Sequence, residues 1–131
     1  MIKSAEFGKE ITVTTVNKIG VLADISRLLS EQEINIEAVA GYAVNKEAKI
    51  MLVSDEEGRC IGALETAGYK SIKENEVIVL ELENKPGALK LVSAILADKG
   101  IDIKQIYGTT CGSGCPAKII LSTSDNAKAL A

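Results

Sequence analysis

Histidine is missing altogether from this 131-residue chain. That removes the most frequent general base, the usual activator of a nucleophilic side chain and the commonest metal ligand. Aromatic residues are nearly as scarce, with no Trp, one Phe (Phe7) and three Tyr (Tyr42, Tyr69 and Tyr107). Proteins that grip single-stranded nucleic acid stack bases on such rings, and these are too few and too scattered. An excess of positive charge is absent too. Fifteen Lys and Arg face 18 Asp and Glu, a net charge of −3, which suits a phosphate backbone poorly. No apolar run approaches the ~20 residues of a membrane helix. The N-terminal stretch MIKSAEFGKE has no apolar segment of the kind a secretory signal needs. The chain is therefore expected to be cytoplasmic, with neither nucleic acid nor membrane as partner. Its cysteines, Cys60, Cys111 and Cys115, are odd in number and are expected to be reduced thiols. No phosphate loop, dinucleotide fingerprint or activated nucleophile is recognisable. No enzyme, catalytic residue, metal or cofactor is expected.

What the chain does contain is a repeat. Asn17-Lys18-Ile19-Gly20 returns as Asn84-Lys85-Pro86-Gly87, 67 positions later. At the same offset Ile11 meets Ile78, Leu22 meets Leu89 and Leu29 meets Leu96. Ile34-Asn35-Ile36 meets Ile101-Asp102-Ile103, and Gly41 meets Gly108. Ala48-Lys49-Ile50 then meets Ala117-Lys118-Ile119 at an offset of 69, so the second copy carries about two extra residues before this segment.

Each copy reads as the same order of elements. Residues 11–16 and 78–83 alternate apolar and polar at period two, the pattern of a half-buried strand. A glycine loop follows, then a helix whose stripe is Val21, Leu22, Ile25, Leu28 and Leu29 in one copy and Leu89, Val92, Ile95 and Leu96 in the other. Gly100 stands where a helix-ending glycine belongs. Strands are expected at 34–40 and 48–54, and at 101–107 and 117–123. A second helix over 57–67 carries Cys60, Ile61, Leu64 and Ala67 on one side, and 69–73 form a fourth strand. The order βαββαβ predicts α+β architecture: two ferredoxin-like units, each an antiparallel sheet with helices on one face. The units are expected at 1–74 and 75–131, with Lys70 to Glu76 as exposed strand, turn and linker. The second unit is short at its C-terminal side. Residues 125–131 supply about two turns of its second helix, and no last strand is visible. Either that unit is short, or another strand fills the edge, for which residues 1–10 are a candidate.

The loop before each first helix is the chemical candidate. Glycine lets the backbone bend tightly and approach a ligand, and the helix's first N–H groups lack internal partners and carry partial positive charge. A small carboxylate fits such a tip. Asn17 and Asn84 end the preceding strand, while Asn35 and Asp102 start strand two, where a side-chain oxygen can receive an α-ammonium group. Against this stands a purely structural role: Asn before a helix is a routine cap or turn residue, and Pro86 favours the first helical turn whatever the ligand. The residues alone leave both readings open. Two further groups are weighed in the same way. Cys111-Gly-Ser-Gly-Cys115 is either a soft-metal or redox pair or a glycine-rich hairpin loop. Cys60, on an apolar helical face, is expected in the core.

The strings Asn-Lys-Pro-Gly-Ala-Leu (84–89) and Gly-Ile-Asp-Ile (100–103) resemble the amino-acid-binding ACT domain, and 17–22 with 34–36 resemble it again. The likeness spans roughly 11–131 as two tandem copies. Ile19 replaces the usual Pro, and Asp102 stands where Asn is typical. The resemblance implies a stand-alone tandem ACT protein with no fused enzyme: a non-catalytic, allosteric regulatory protein that binds a free amino acid or similar small zwitterion at joints between units. It nominates Asn17, Gly20, Val21, Leu22 and Asn35 for one site, and Asn84, Gly87, Ala88, Leu89 and Asp102 for the other. Val21, Leu22, Ala88 and Leu89 would contribute backbone N–H groups. A homodimer or higher homo-oligomer is implied, with an enzyme of amino-acid metabolism as a possible partner. The alternative is a ligand-free scaffold that pairs with a separate enzyme.

Overall fold

The structure, a computed structural model, describes residues 2–110 and 114–130. The elements run β1 (Ile2–Val16), α1 (Val21–Glu31), β2 (Ile36–Val44), β3 (Glu47–Ser54), α2 (Glu57–Thr66), β4 (Ser71–Leu82), α3 (Ala88–Asp98), β5 (Ile103–Thr109), β6 (Ala117–Thr123) and α4 (Asn126–Leu130). They form two compact units. The first is Lys9–Asn75, and the second joins Met1–Gly8 to Glu76–Ala131.

In the first unit the strand order is β2-β3-β1-β4. Strands β1 and β3 run antiparallel with Ile11 opposite Leu52 and Val13 opposite Ile50. Because side chains alternate along a strand, these four share one face. There they meet Val21, Ile25 and Leu29 of α1 and Cys60 and Leu64 of α2 in one core cluster. Cys60 is fully buried, as its apolar helical setting implied. The second unit repeats the plan in the order β1-β4-β6-β5. Its core joins Ile78, Leu80, Leu82 and Leu121 of the sheet to Ala88, Val92 and Leu96 of α3. Each unit is thus α+β, with antiparallel strands and helices on one face. The duplication reaches fine detail: β2 slips register between Ile36 and Ala38, and β5 does so between Ile103 and Gln105.

At the strands, one open alternative is decided and one expectation changes. The last strand missing from the second copy is supplied by the chain's start, because Ile2–Gly8 belongs to that unit and β1 lies beside β4. Its sequence shows almost no alternation, so the segment is a strand through pairing rather than propensity. Residues 70–76 do not form a turn and linker: Ser71–Leu82 is one strand of 12 residues. No Gly or Pro interrupts it. Asn75 is accommodated within it because its Nδ2 donates to Thr12 Oγ1 at 2.9 Å and to Glu10 Oε1 at 3.3 Å. α4 is also shorter than the two turns expected, with five residues. Cys111 lies outside the described residues. Cys115 is disulfide-bonded, so the expectation of reduced thiols fails at that residue.

Helix endings follow one rule in both copies. After α3, Gly100 (φ 71°) donates to Ala97 O at 3.0 Å and Ile101 donates to Leu96 O at 3.0 Å. This paired closure uses a left-handed residue and an apolar contact across the turn. At the equivalent place after α1, Glu33 holds φ 57° while Ile34 donates to Leu29 O at 2.9 Å. A side chain in that region costs roughly 1–2 kcal/mol that glycine avoids. Glu33→Gly is therefore expected to stabilise the protein by about 1 kcal/mol, read as a higher urea midpoint at unchanged slope. Deleting residues 2–8 is expected to strip amide-exchange protection from 76–130 while 9–75 keeps it. Equal loss in both stretches would contradict the assignment of Ile2–Gly8 to the second unit.

Candidate functional site

Both glycine loops adopt the same backbone. Gly20 (φ 96°, ψ 3°) and Gly87 (φ 91°, ψ −11°) are left-handed residues at the starts of α1 and α3, and no side chain caps either helix. The capping role open to Asn17 and Asn84 is therefore not taken up. Asn17 instead uses its backbone N–H to donate to Lys46 O at 2.7 Å, closing strand pairing. In α1 the first intrahelical bond is Asp24 N–H to Gly20 O at 2.9 Å, which leaves the amides of Val21, Leu22 and Ala23 ahead of it. In α3 the first is Leu91 N–H to Gly87 O at 3.0 Å, but Ala88 N–H already donates to Lys85 O at 3.3 Å across the turn. The second tip thus offers one amide fewer than the first.

The side chains around the two tips differ more. Beside the first lies a cleft of about 370 Å³, lined by Thr15, Lys18, Val21, Asp24, Arg27 and Tyr69 among others. Of the residues nominated from sequence, only Val21 lines it. No carboxylate pairs with Lys18 among the described residues, whereas its counterpart Lys85 is held by Glu83, Nζ to Oε2 3.0 Å. That bond is the main reason the Glu83 carboxyl sits below its ordinary pKa. Asp24 and Arg27 lie one turn apart at 3.9 Å, and Arg27 Nη1 reaches Glu31 Oε1 at 3.2 Å. At the same offset the second copy has Leu91 and Ala94, so the mixed charge belongs to the first copy alone. Burial raises the pKa of the Tyr69 phenol; the Asp24 carboxylate adds to the rise and Arg27 opposes it. Tyr69 is fixed there by its own N–H, which donates to Leu64 O at 3.1 Å where α2 ends.

Asn35 and Asp102 are not brought to their own loops. Asn35 N–H donates to Asp55 Oδ1 at 3.1 Å, and Asp102 N–H to Ser124 Oγ at 3.0 Å. Each residue follows the far end of an 11-residue helix, about 16 Å from the tip along its axis. Leu22 and Leu89 are exposed at the tips, and Ile19 is wholly exposed. Sequence reasoning missed Lys18, Asp24, Arg27 and Tyr69. The spacing of Asp24 and Arg27 from Val21 was a usable signal, since residues three apart share a helix face. Among the described residues, no cluster of three or more His, Cys, Asp or Glu is placed to hold a metal ion, and no helix is long and apolar enough to cross a membrane.

No family model and no curated protein matches this chain. Solved structures do. Protein BT0572 from Bacteroides thetaiotaomicron aligns with TM-score 0.88 at 21% identity, over 96% of this chain and 85% of that one. The regulatory subunit of aspartate kinase from Thermus thermophilus, in its ligand-free form, aligns with TM-score 0.70 at 12% identity over 98% and 93%. The corresponding subunit from Thermus flavus aligns with TM-score 0.64 at 14% identity over 98% and 94%. The chain shares the fold of these structures.

Tyr69 reports on the cleft directly. With Tyr42 and Tyr107 replaced by Phe, its absorbance titration is expected above the ordinary phenol range. Asp24→Asn should lower it, because the neighbouring negative charge is gone. A folded-state pKa raised in this way gives stability that is full below the unfolded phenol pKa and is lost as pH rises through the folded one.

Proposed function

We propose that this protein is a non-catalytic regulatory module that senses a free amino acid or similar zwitterion. The observation that carries this is the first helix tip: an uncapped α1 start opening beside a cleft that holds the carboxylate of Asp24 and Lys18, which has no carboxylate partner among the described residues. Lys18 and the Val21 and Leu22 amides would take the α-carboxylate, and Asp24 the α-ammonium group. The second tip, with Asn84, Gly87, Ala88, Leu89 and Asp102, would bind more weakly, because Lys85 and the Ala88 amide are already engaged. Asn17 and Gly20 shape the first loop. Asn35 and Asp102, too distant from their own tips, would act on the loop of a second copy. A homodimer is part of the proposal. β2 and β5 are edge strands carrying exposed Val39, Tyr42, Val44 and Ile106, and such edges are normally covered. The aspartate kinase regulatory subunits of the same fold support a regulatory role, exercised through an enzyme of amino-acid metabolism, in the cytoplasm.

The fully exposed Ile19 beside the half-exposed Leu22 favours a second reading, in which the tip docks on a partner protein and binds no ligand. A thermal-shift screen of the twenty amino acids separates the two. A ligand at a hundredfold excess over its Kd should add ~2.7 kcal/mol of stability. Lys18→Gln and Asp24→Asn should each weaken that ligand about tenfold, while Lys85→Gln leaves the tighter site unchanged. No shift with any amino acid, together with an unchanged monomeric mass, would remove the sensor reading and leave the scaffold.

A further inference from the structure

The two units differ where their second helices begin. In the second unit Thr123 and Asn126 close this point with their side chains. Asn126 Oδ1 accepts from Thr123 N–H at 2.9 Å and from its Oγ1 at 2.7 Å, and Thr123 Oγ1 accepts from Asp125 N–H at 3.2 Å. The other end of the amide reaches the sheet, where Asn126 Nδ2 donates to Glu76 O at 3.0 Å. Both polar atoms of the Asn126 side chain are thus used, and the helix start is fastened to the strand beneath it.

At the offset of 69 that relates these segments, Ser54 stands in the place of Thr123 and Glu57 in that of Asn126. Continued by two residues, the register of β4 with β6 sets Glu76 opposite Thr123, and that of β1 with β3 sets Lys9 opposite Ser54. The carbonyl equivalent to that of Glu76 is therefore that of Lys9. An amide can donate to a carbonyl; an ionised carboxylate cannot. Accordingly α2 has no side-chain cap, and Glu57 Oε2 and Ser54 Oγ are buried with no hydrogen-bond partner among the described residues. An unmet buried oxygen costs more when it is charged.

The groups around Glu57 also work against its ionisation. Burial raises its pKa most and Glu74 of β4 adds to the rise, while Lys9 of β1, itself bridged to Glu74 at 3.6 Å, opposes it. Cys60, further along α2, is a thiol whose pKa burial raises, so it stays neutral. Glu56 and Arg59 of the same helix start pair at 3.4 Å, and Arg59 also donates to Gln32 O. Asp55 accepts from Asn35 N–H at 3.1 Å. On α1, Arg27 bridges Asp24 and Glu31.

We propose that Glu57 is a proton-operated latch at the start of α2. With a proton taken from solvent it donates to Lys9 O, as Asn126 donates to Glu76 O, and fastens α2 to β1. Ionised, it offers that carbonyl only negative charge, and the helix start loosens. The far end of α2 sets Tyr69 into the cleft of the first unit, so the latch governs how firmly one wall of that cleft is held. The latch does not depend on what the cleft binds.

The test compares the intact chain with Glu57→Gln, whose neutral amide can donate at every pH, by urea unfolding and amide exchange. Because folding raises the carboxyl's pKa, its contribution is full below the unfolded glutamate value and is lost as pH rises through the folded one. Glu57→Gln should therefore raise the urea midpoint at about pH 8 and leave it nearly unchanged at about pH 4. At the higher pH its α2 amides should be better protected than those of the unaltered chain. The gain should be about tenfold for each pH unit by which the Glu57 pKa, followed by carboxyl carbon NMR, exceeds that of a free glutamate. Asn126→Asp should import the same dependence into residues 76–130, loosening them far more at about pH 8 than at about pH 4. A Glu57→Gln chain less stable than the unaltered one at about pH 8 would overturn the proposal, because Lys9 would then be holding an ionised Glu57. So would an equal effect at both pH values, a Glu57 carboxyl titrating at or below the ordinary glutamate range, or an Asn126→Asp chain with no added pH dependence.

Discussion

The supply of strands is the constraint on which the second unit depends. A four-stranded sheet with helices on one face needs four strands. Glu76–Ala131 encodes three: the latter part of β4, then β5 and β6. The fourth comes from Ile2–Gly8, at the other end of the sequence. Without it the buried Val77 and Ile78 of β4 would lie on an unpaired edge, which invites association with other chains. The unusual lengths of β1 and β4, 15 and 12 residues against a typical five or six, follow from this arrangement. Each strand serves one unit with its first part and the other unit with its second.

The same duplication that repeats the backbone has let the side chains diverge. Both helix tips carry a left-handed glycine and no side-chain cap. One tip keeps Lys18, Asp24 and Arg27 around a polar cleft. The other has bridged its lysine to Glu83 and replaced both helical charges with Leu91 and Ala94. Backbone similarity alone would have predicted two equivalent sites.

Much of the fold was legible because it rests on local periodicity repeated twice. The core faces of α1 and α3, the glycine loops and the helix-ending Gly100 are each encoded within a few residues of where they act. The N-terminal strand was legible only as one of two alternatives, inferred from the gap it fills and not from its own residues. Lys3, Ser4, Glu6 and Lys9 carry no strand pattern, and the segment is fixed by a neighbour some seventy residues away. The continuity of β4 was hidden for a related reason. Lys73, Glu74, Asn75 and Glu76 look like a solvated linker until Glu10 and Thr12 are seen to satisfy Asn75. At the site, the loop geometry could be read from glycine. The cleft could not, because Tyr69 reaches it only through the way α2 ends.

Helix length sets the remaining logic of the proposed sensor. Because an 11-residue helix separates each loop from the strand start that follows it, no unit can close a loop and its own Asn35 or Asp102 around one small molecule. If such a site is to be complete, the missing residue must come from a second copy. Ligand binding and association then share one free energy: ligand that requires the pair must favour the pair by the same factor by which pairing favours ligand. A chain with this geometry needs no hinge or lid to transmit a signal. The concentration of the metabolite would set the fraction of paired chains, and any surface altered by pairing would carry the message to an enzyme.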